Sequence, residues 1–316
     1  MNNLLQLLRV FKAVICSVVG QIALLLRNPG CTIIVPGYAI GDIVMLSAVV
    51  RKYKEFDSKR KFCIGIDGNR KGDCDAAELV GTPFDRIEKH IPPVFRRLHF
   101  PGIHKLWPHM WSVNCPKYGN KNLIDLFSQL VFGKSLIIKA KPICVSFKNY
   151  NLDWSKYPKG RTILICPGAT SAAMPNSDEI WMSVGNCLKQ KGFSVVFNAE
   201  NDAHCKGFDT IFYDVKTTAA FAEHAGYVIS LRSGLADLLA YVTHAKILAI
   251  YSHSLDDWCW TVSDVWRKEG YVEAGEEFLR YWSLSGLFDR EGLYDCFYEG
   301  IDDLLRQVDN LLIKEC

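Results

Sequence analysis

The run GYAIGDIVMLSAVVRKY puts Gly41 and Asp42 where an apolar strand gives way to a helix. Open α/β sheets bind ligands at such strand ends, and a carboxylate there can take a proton from an acceptor hydroxyl. Aspartate is also among the best helix N-caps, so Asp42 has a purely structural reading as well. A second group is Arg232-Ser233-Gly234 in SLRSGLADLLA, again strand, tight turn, helix. Backbone N–H groups at that helix start favour an anion, and the guanidinium fork suits a diphosphate. Ser233 either caps the helix or meets a phosphate, and the structural alternative for Arg232 is a salt bridge to an interdomain carboxylate. A third group, Pro167-Gly168-Ala169-Thr170-Ser171, is a small-residue loop that lets backbone approach a phosphate or ribose. Taken alone, such a loop is common.

Arg86, Lys89, Arg96, Arg97 and Lys105, with His90, His99 and His104, crowd one irregular segment in which only Glu88 opposes them. Such a patch suits an anionic acceptor, and a solvated loop is the plainer reading. Metal chemistry finds little footing. Asp73-Cys74-Asp75 spells D-x-D by two letters, and the near-calcium loop from Asp67 to Glu78 carries Lys71 at a ligand position. There is no H-E-x-x-H, no G-x-S-x-G elbow and no Lys-Ser/Thr phosphate loop. Neither a metal nor a cofactor is expected.

The elements that must position these groups come in two halves. CTIIV (31–35) reads as a buried strand, 36–42 as a loop, 43–56 as a helix, and KFCIGI as a second strand. A helix near 121–132 and the run 135–147 close the first half. Residues 148–160 look like a polar linker. The pattern then restarts: strand and loop over 161–171, a helix over 178–191, a strand over 193–200 and a short helix over 217–225. Strand, turn and helix follow over 227–242, then a strand over 245–251. The expected fold is α/β, two Rossmann-like lobes with parallel sheets facing a central cleft. The boundaries are an N-terminal helix (1–28), a first lobe (29–150), a second lobe (161–289) and a C-terminal helix (290–316).

With 316 residues, 49% of them hydrophobic, the chain suits two cores better than one. A net charge of +3 with no aromatic-basic motif gives no reason to expect nucleic acid. Twelve cysteines without a C-x-x-C pair read as buried thiols in a reducing, cytoplasmic setting. Residues 3–26 are mostly apolar, yet the uncharged stretch from Ala13 to Leu26 is 14 residues, short of a span. Residues 1–27 therefore read as a peripheral helix at the inner face of the cytoplasmic membrane, or as a helix packed on the protein's own core.

At these residues the chain resembles the heptosyltransferase-like (family 9-type) GT-B glycosyltransferases. GDIVMLSAVVRKYKEF is similar to their first loop and helix, and ICPGATSAAMP to the opening of their second lobe. KGFSVVFNAE and RSGLADLLAYV follow in the family's order, over about residues 31–255. The resemblance implies a metal-independent, inverting transfer from a nucleoside-diphosphate sugar to a cell-surface glycan or lipid-linked acceptor. It makes Asp42 the catalytic base; Gly41 beside it and, from the basic segment, Arg96 and Arg97 are expected toward the acceptor. It makes the turn at Arg232, Ser233 and Gly234 the donor-binding turn; the small-residue loop of Gly168, Ala169, Thr170 and Ser171, together with Asp237, is expected on the donor side as well. Two departures stand out: the family's Asp before Ser-Gly is Arg232 here, and its His three residues after the Gly is Asp237. Its phosphate-binding Lys has no counterpart after Ser171, so Arg232 is expected to take that part. The rival expectations are a pyruvyl transferase or nucleotide-sugar epimerase of related fold, and a degenerate lobe pair that only binds a glycan or partner.

Overall fold

The computed structural model describes residues 2–37, 39–81, 83–89, 103–105, 122–136, 139–147, 153–169, 177–200, 205–251 and 283–313. The chain forms two compact units: Met1–Cys115 with Ile124–Ile137, and Pro116–Leu123 with Ile138–Cys316.

The first unit opens with helix α1 (Asn2–Arg27), then β1 (Cys31–Val35), α2 (Ile40–Phe56), β2 (Lys61–Ile66), α3 (Lys71–Val80), β3 (Arg86–Lys89), β4 (Ile103–Lys105) and α4 (Leu123–Phe132). Its sheet is parallel in the order β3-β2-β1-β4, with Ile34 level with Ile64 on one side and Val35 level with Lys105 on the other. β1 is therefore the strand at which the order reverses, and ligands of open α/β sheets sit at such reversals. Leu24 of α1 packs with Ile33, Val35, Cys63 and Ile103, so α1 is anchored to this sheet through its last turn.

The second unit contains β5 (Thr162–Cys166), α5 (Ser177–Gln190), β6 (Ser194–Asn198), β7 (Asp209–Ile211), α6 (Val215–Ala225), β8 (Gly226–Leu231), α7 (Gly234–Val242), β9 (Lys246–Tyr251), α8 (Leu284–Leu287), β10 (Leu293–Phe297) and α9 (Ile301–Ile313). All neighbouring strands run parallel, in the order β10-β9-β8-β5-β6-β7. β5 is its reversal strand. Continuous apolar runs form these strands because helices bury both faces. Ile180, Trp181, Val184 and Leu188 of α5 and Leu304, Val308 and Leu311 of α9 close one face over Ile163, Ile165, Phe197, Ile229 and Ile250.

Three features differ from the sequence reading. α2 begins at Ile40, not 43, so Asp42 lies inside its first turn and the N-cap is Ala39, which makes no side-chain cap bond. The segment before residue 150 belongs to the second unit: Ile143 N and Val145 N donate to Tyr241 O and Val242 O at the end of α7. The supposed linker does likewise, with Trp154 stacked on His224 and Tyr157 edge-on to Phe221 of α6. Finally, the tail after 290 holds a strand besides its helix, β10 pairing with β9 and α9 covering it, so it completes the second sheet.

Candidate functional site

In the second unit, two of the three sequence candidates meet. β5 pairs with β8 in a register that sets Cys166 level with Ser230. The chain leaving β5 (Pro167, Gly168, Ala169) and the chain leaving β8 (Arg232, Ser233) thus emerge side by side at the carboxyl edge, on the two sides of the reversal. A Cβ placed on Gly168 would meet nothing within 4 Å, so the backbone there is open to approach. Thr170 and Ser171 lie outside the described residues.

Arg232 is held from several sides. Its N–H donates to Ile250 O at 2.8 Å, extending the β8–β9 ladder one residue past the strand. Its Nη2 meets Asp237 Oδ1 at 2.6 Å, and Nη1 donates to Ser233 O at 3.1 Å. Arg232 Nε finds no hydrogen-bond partner among the described residues. Burial works against the cation, but Asp237, with Tyr251 and Asp295 nearby, outweighs it and raises the guanidinium's pKa. Burial lifts the Asp237 carboxyl above its ordinary value against the lowering by Arg232. The partner is therefore a carboxylate five residues on in α7, not one from the other domain. Asp237 is 4% exposed and engaged with Arg232, so its part is to position that residue.

Ser233 resolves to the capping option: its Oγ accepts from Ala236 N at 3.3 Å, which starts α7 at Gly234. The earliest N–H groups of a helix have no intrahelical acceptor, and at Gly234 and Leu235 they add their field to the same edge. Two neighbours escaped the sequence reading. Asn198 ends β6 beside this loop; its Nδ2 lies 4.0 Å from Cys166 Sγ, and its Oδ1 is a buried acceptor without a partner among the described residues. A polar residue closing the apolar run FSVVF was the available signal. Tyr251 ends β9 and donates to Asp295 Oδ1 at 2.7 Å, while Leu284 N and Ser285 N also point at that carboxylate. Burial, then the Asp295 charge, pushes the Tyr251 phenol well up, so it stays a donor.

In the first unit, Asp42 occupies the third position of α2, just past the end of β1. A carboxylate in a first turn is favoured by the helix field. Gly41 is buried in the same turn. His104 and Lys105 of β4 flank this end, on the other side of the reversal. Part of the basic group is structural: Arg86 donates to Arg27 O, and Lys89 pairs with Glu78. Arg96, Arg97, His90 and His99 fall outside the described residues. Asp73 pairs with Arg70 at 3.2 Å, and no group of three or more His, Cys, Asp or Glu side chains among the described residues is arranged to hold a metal.

Two parallel sheets, each with a small-residue turn and a helix start at its reversal strand, define an α/β architecture of two Rossmann-like units. Solved structures with this fold include the glycosyl transferase family 9 protein from Veillonella parvula (TM-score 0.56, 11% identity, 90% of this chain and 97% of that one). The E. coli heptosyltransferase WaaC, solved with ADP-2-deoxy-2-fluoro heptose, aligns at TM-score 0.53 and 12% identity over 90% and 99%. The E. coli ADP-heptose lps heptosyltransferase II gives 0.51 and 12% over 90% and 98%. No family model matches the chain. No curated protein matches it either. The fold is the GT-B-like fold of these transferases, as the sequence resemblance implied.

Proposed function

We propose that this protein is an inverting, metal-independent glycosyltransferase. It moves a sugar from a nucleoside diphosphate to a hydroxyl of a cell-surface glycan or lipid-linked acceptor, on the cytoplasmic side. The observation that carries the reading is the β5–β8 reversal, where Arg232, the start of α7 and the open Gly168 backbone share one edge. WaaC and heptosyltransferase II, which share the fold, carry ADP-heptose chemistry in their names, and that supports a nucleotide-sugar donor here. Eight of the twelve cysteines are free thiols, in keeping with a reducing compartment.

The chemistry assigned to each residue is simple. Asp42 takes the acceptor proton as the acceptor oxygen attacks the anomeric carbon. The bond from that carbon to the diphosphate oxygen breaks, and the electron pair leaves with the nucleotide. Arg232 and the α7 amides stabilise the growing charge on the diphosphate, the part a metal plays elsewhere. Asp237 and the β9 ladder hold Arg232 in place, and Gly168 and Ala169 let the backbone close on phosphate or ribose. Arg96 and Arg97 are assigned to an acidic acceptor.

One observation favours a second reading. The Arg232–Asp237 pair is neutral as a unit, which weakens its pull on an anion and suits a degenerate lobe pair that only binds a glycan or partner. Calorimetry against UDP-, GDP-, ADP-, dTDP- and CMP-sugars separates the two. Donor binding, followed by a product heavier by one glycosyl unit, is expected; absence of any donor binding rules out the transferase. A product of unchanged mass would point to an epimerase of related fold, and a product gaining a pyruvyl group to a pyruvyl transferase.

A further inference from the structure

Helix α1 presents an apolar face that the first unit does not cover. Nine large hydrophobic side chains are exposed among the described residues, and six belong to α1: Phe11, Val14, Ile15, Val19, Ile22 and Leu26. The spacing of Phe11, Ile15, Ile22 and Leu26, with Val19 beside them, is that of one helical stripe. Phe11 is 63% and Leu26 75% exposed, whereas Gln21 and Leu24 on the opposite side are buried. The packing on Ile33, Val35, Cys63 and Ile103 is thus made through Leu24, and it leaves the stripe facing out.

Charge identifies what covers it. Residues 1–41 contain Arg9, Lys12 and Arg27 and no Asp or Glu. Removing those three cations from the chain's 37 leaves 34, equal to its 34 carboxylates, so the whole net charge of +3 resides on α1. Lys12 is exposed; Arg27, exposed too, lies 3.5 Å from Glu88. A second copy of this helix offers its cations no carboxylate, whereas anionic lipid headgroups do. No helix of the described residues is long and apolar enough to cross a membrane. An amphipathic helix with a basic flank instead settles in the plane of the interface.

We infer that α1 lies in the plane of an anionic lipid surface, with the stripe from Phe11 to Leu26 in the acyl boundary and Lys12 at headgroup level. α1 contributes no residue to the proposed transfer site, so failure of this inference would leave the proposed function untouched. The test is co-sedimentation of the full chain with vesicles of phosphatidylglycerol and phosphatidylcholine, and with phosphatidylcholine alone. The wild type pellets with the mixed vesicles and less with the neutral ones. Lys12→Gln weakens binding to the mixed vesicles about fivefold, the usual worth of one juxtamembrane cation. The triple variant Phe11→Gln/Ile15→Gln/Ile22→Gln stays in the supernatant, with circular dichroism showing the wild-type helix content. Undiminished pelleting of the triple variant, or no pelleting of the wild type, overturns the inference. So does a concentration-dependent dimer in sedimentation equilibrium that the triple variant dissolves, since a second copy would then be the occupant.

Discussion

The residues proposed for the chemistry differ in how much else they do, and that separates their variants. Asp42 is the third residue of α2, and Asn keeps its size and shape, so Asp42→Asn is expected to spare the fold. Loss of a general base costs about 100-fold or more in rate. Turnover should therefore fall by at least that factor while donor affinity, read by calorimetry, is unchanged. Arg232 and Asp237 are a buried pair, and breaking one is a different experiment. Asp237→Asn leaves an uncompensated buried guanidinium, for which about 3–5 kcal/mol of destabilisation is typical, read by urea unfolding. Apolar replacement of both, Arg232→Met with Asp237→Leu, should restore most of that stability, because a well-packed apolar pair avoids the desolvation cost. Donor binding should stay lost. Recovery of donor binding in that double variant would remove Arg232 from the site.

Elements are joined here by a few polar contacts whose loss has a calculable sign. Arg290 reaches back to the end of α7 and donates to Ala240 O in its last turn and to Thr243 O and Ala245 O just past it. Burial lowers its pKa, yet it remains a cation at a helix C-terminus, where positive charge is favoured. Arg290→Met should cost about 1–3 kcal/mol, the penalty for stranding buried acceptors, seen as a lower denaturation midpoint. In the first unit, Asp85 ties β2 to α2 by accepting from Phe62 N at 2.8 Å and Lys54 Nζ at 2.9 Å. Burial tends to raise its pKa, but those bonds to Lys54 and Phe62 prevail and it is lowered. A carboxyl depressed in the folded state adds stability that is present above its unfolded pKa, near about 4, and is lost as pH falls through the folded value. The acid limb of the stability curve should therefore flatten in Asp85→Asn. An unchanged acid limb would mean the bond to Lys54 contributes nothing.

On the scale of the molecule, two separate cores imply that a donor acts on one of them. A ligand that binds only the native state stabilises it by about 2.7 kcal/mol at a hundred times its dissociation constant. A nucleotide sugar should thus raise the melting of the Ile138–Cys316 unit. Hydrogen exchange should slow at the ends of β5 and β8 and in the first turn of α7, with α1 to β3 unaffected. Uniform slowing across both units would disfavour a site at that edge. The sequence alone determined much of this architecture. CTIIV, KFCIGI, TILIC, SVVFN, GYVISL and KILAIY are short apolar runs bounded by turn residues, and each forms a strand buried among helices. It also marked both strand-end turns, since a glycine or serine after such a run is a local signal. What it did not reveal was set by partners distant along the chain. β10 (LYDCF) is only partly buried because it is an edge strand, and only pairing with β9 makes it a strand at all. Residues 140–145 read as the close of the first half but bond to Leu287, Tyr241 and Val242. Asp42 became a first-turn residue and Arg232 a buried ion pair once the packing of α2 and of β9 fixed their surroundings. Periodicity records which face of a segment is apolar; register, edge position and burial of a charge are set by contacts that exist only when the sheets have formed.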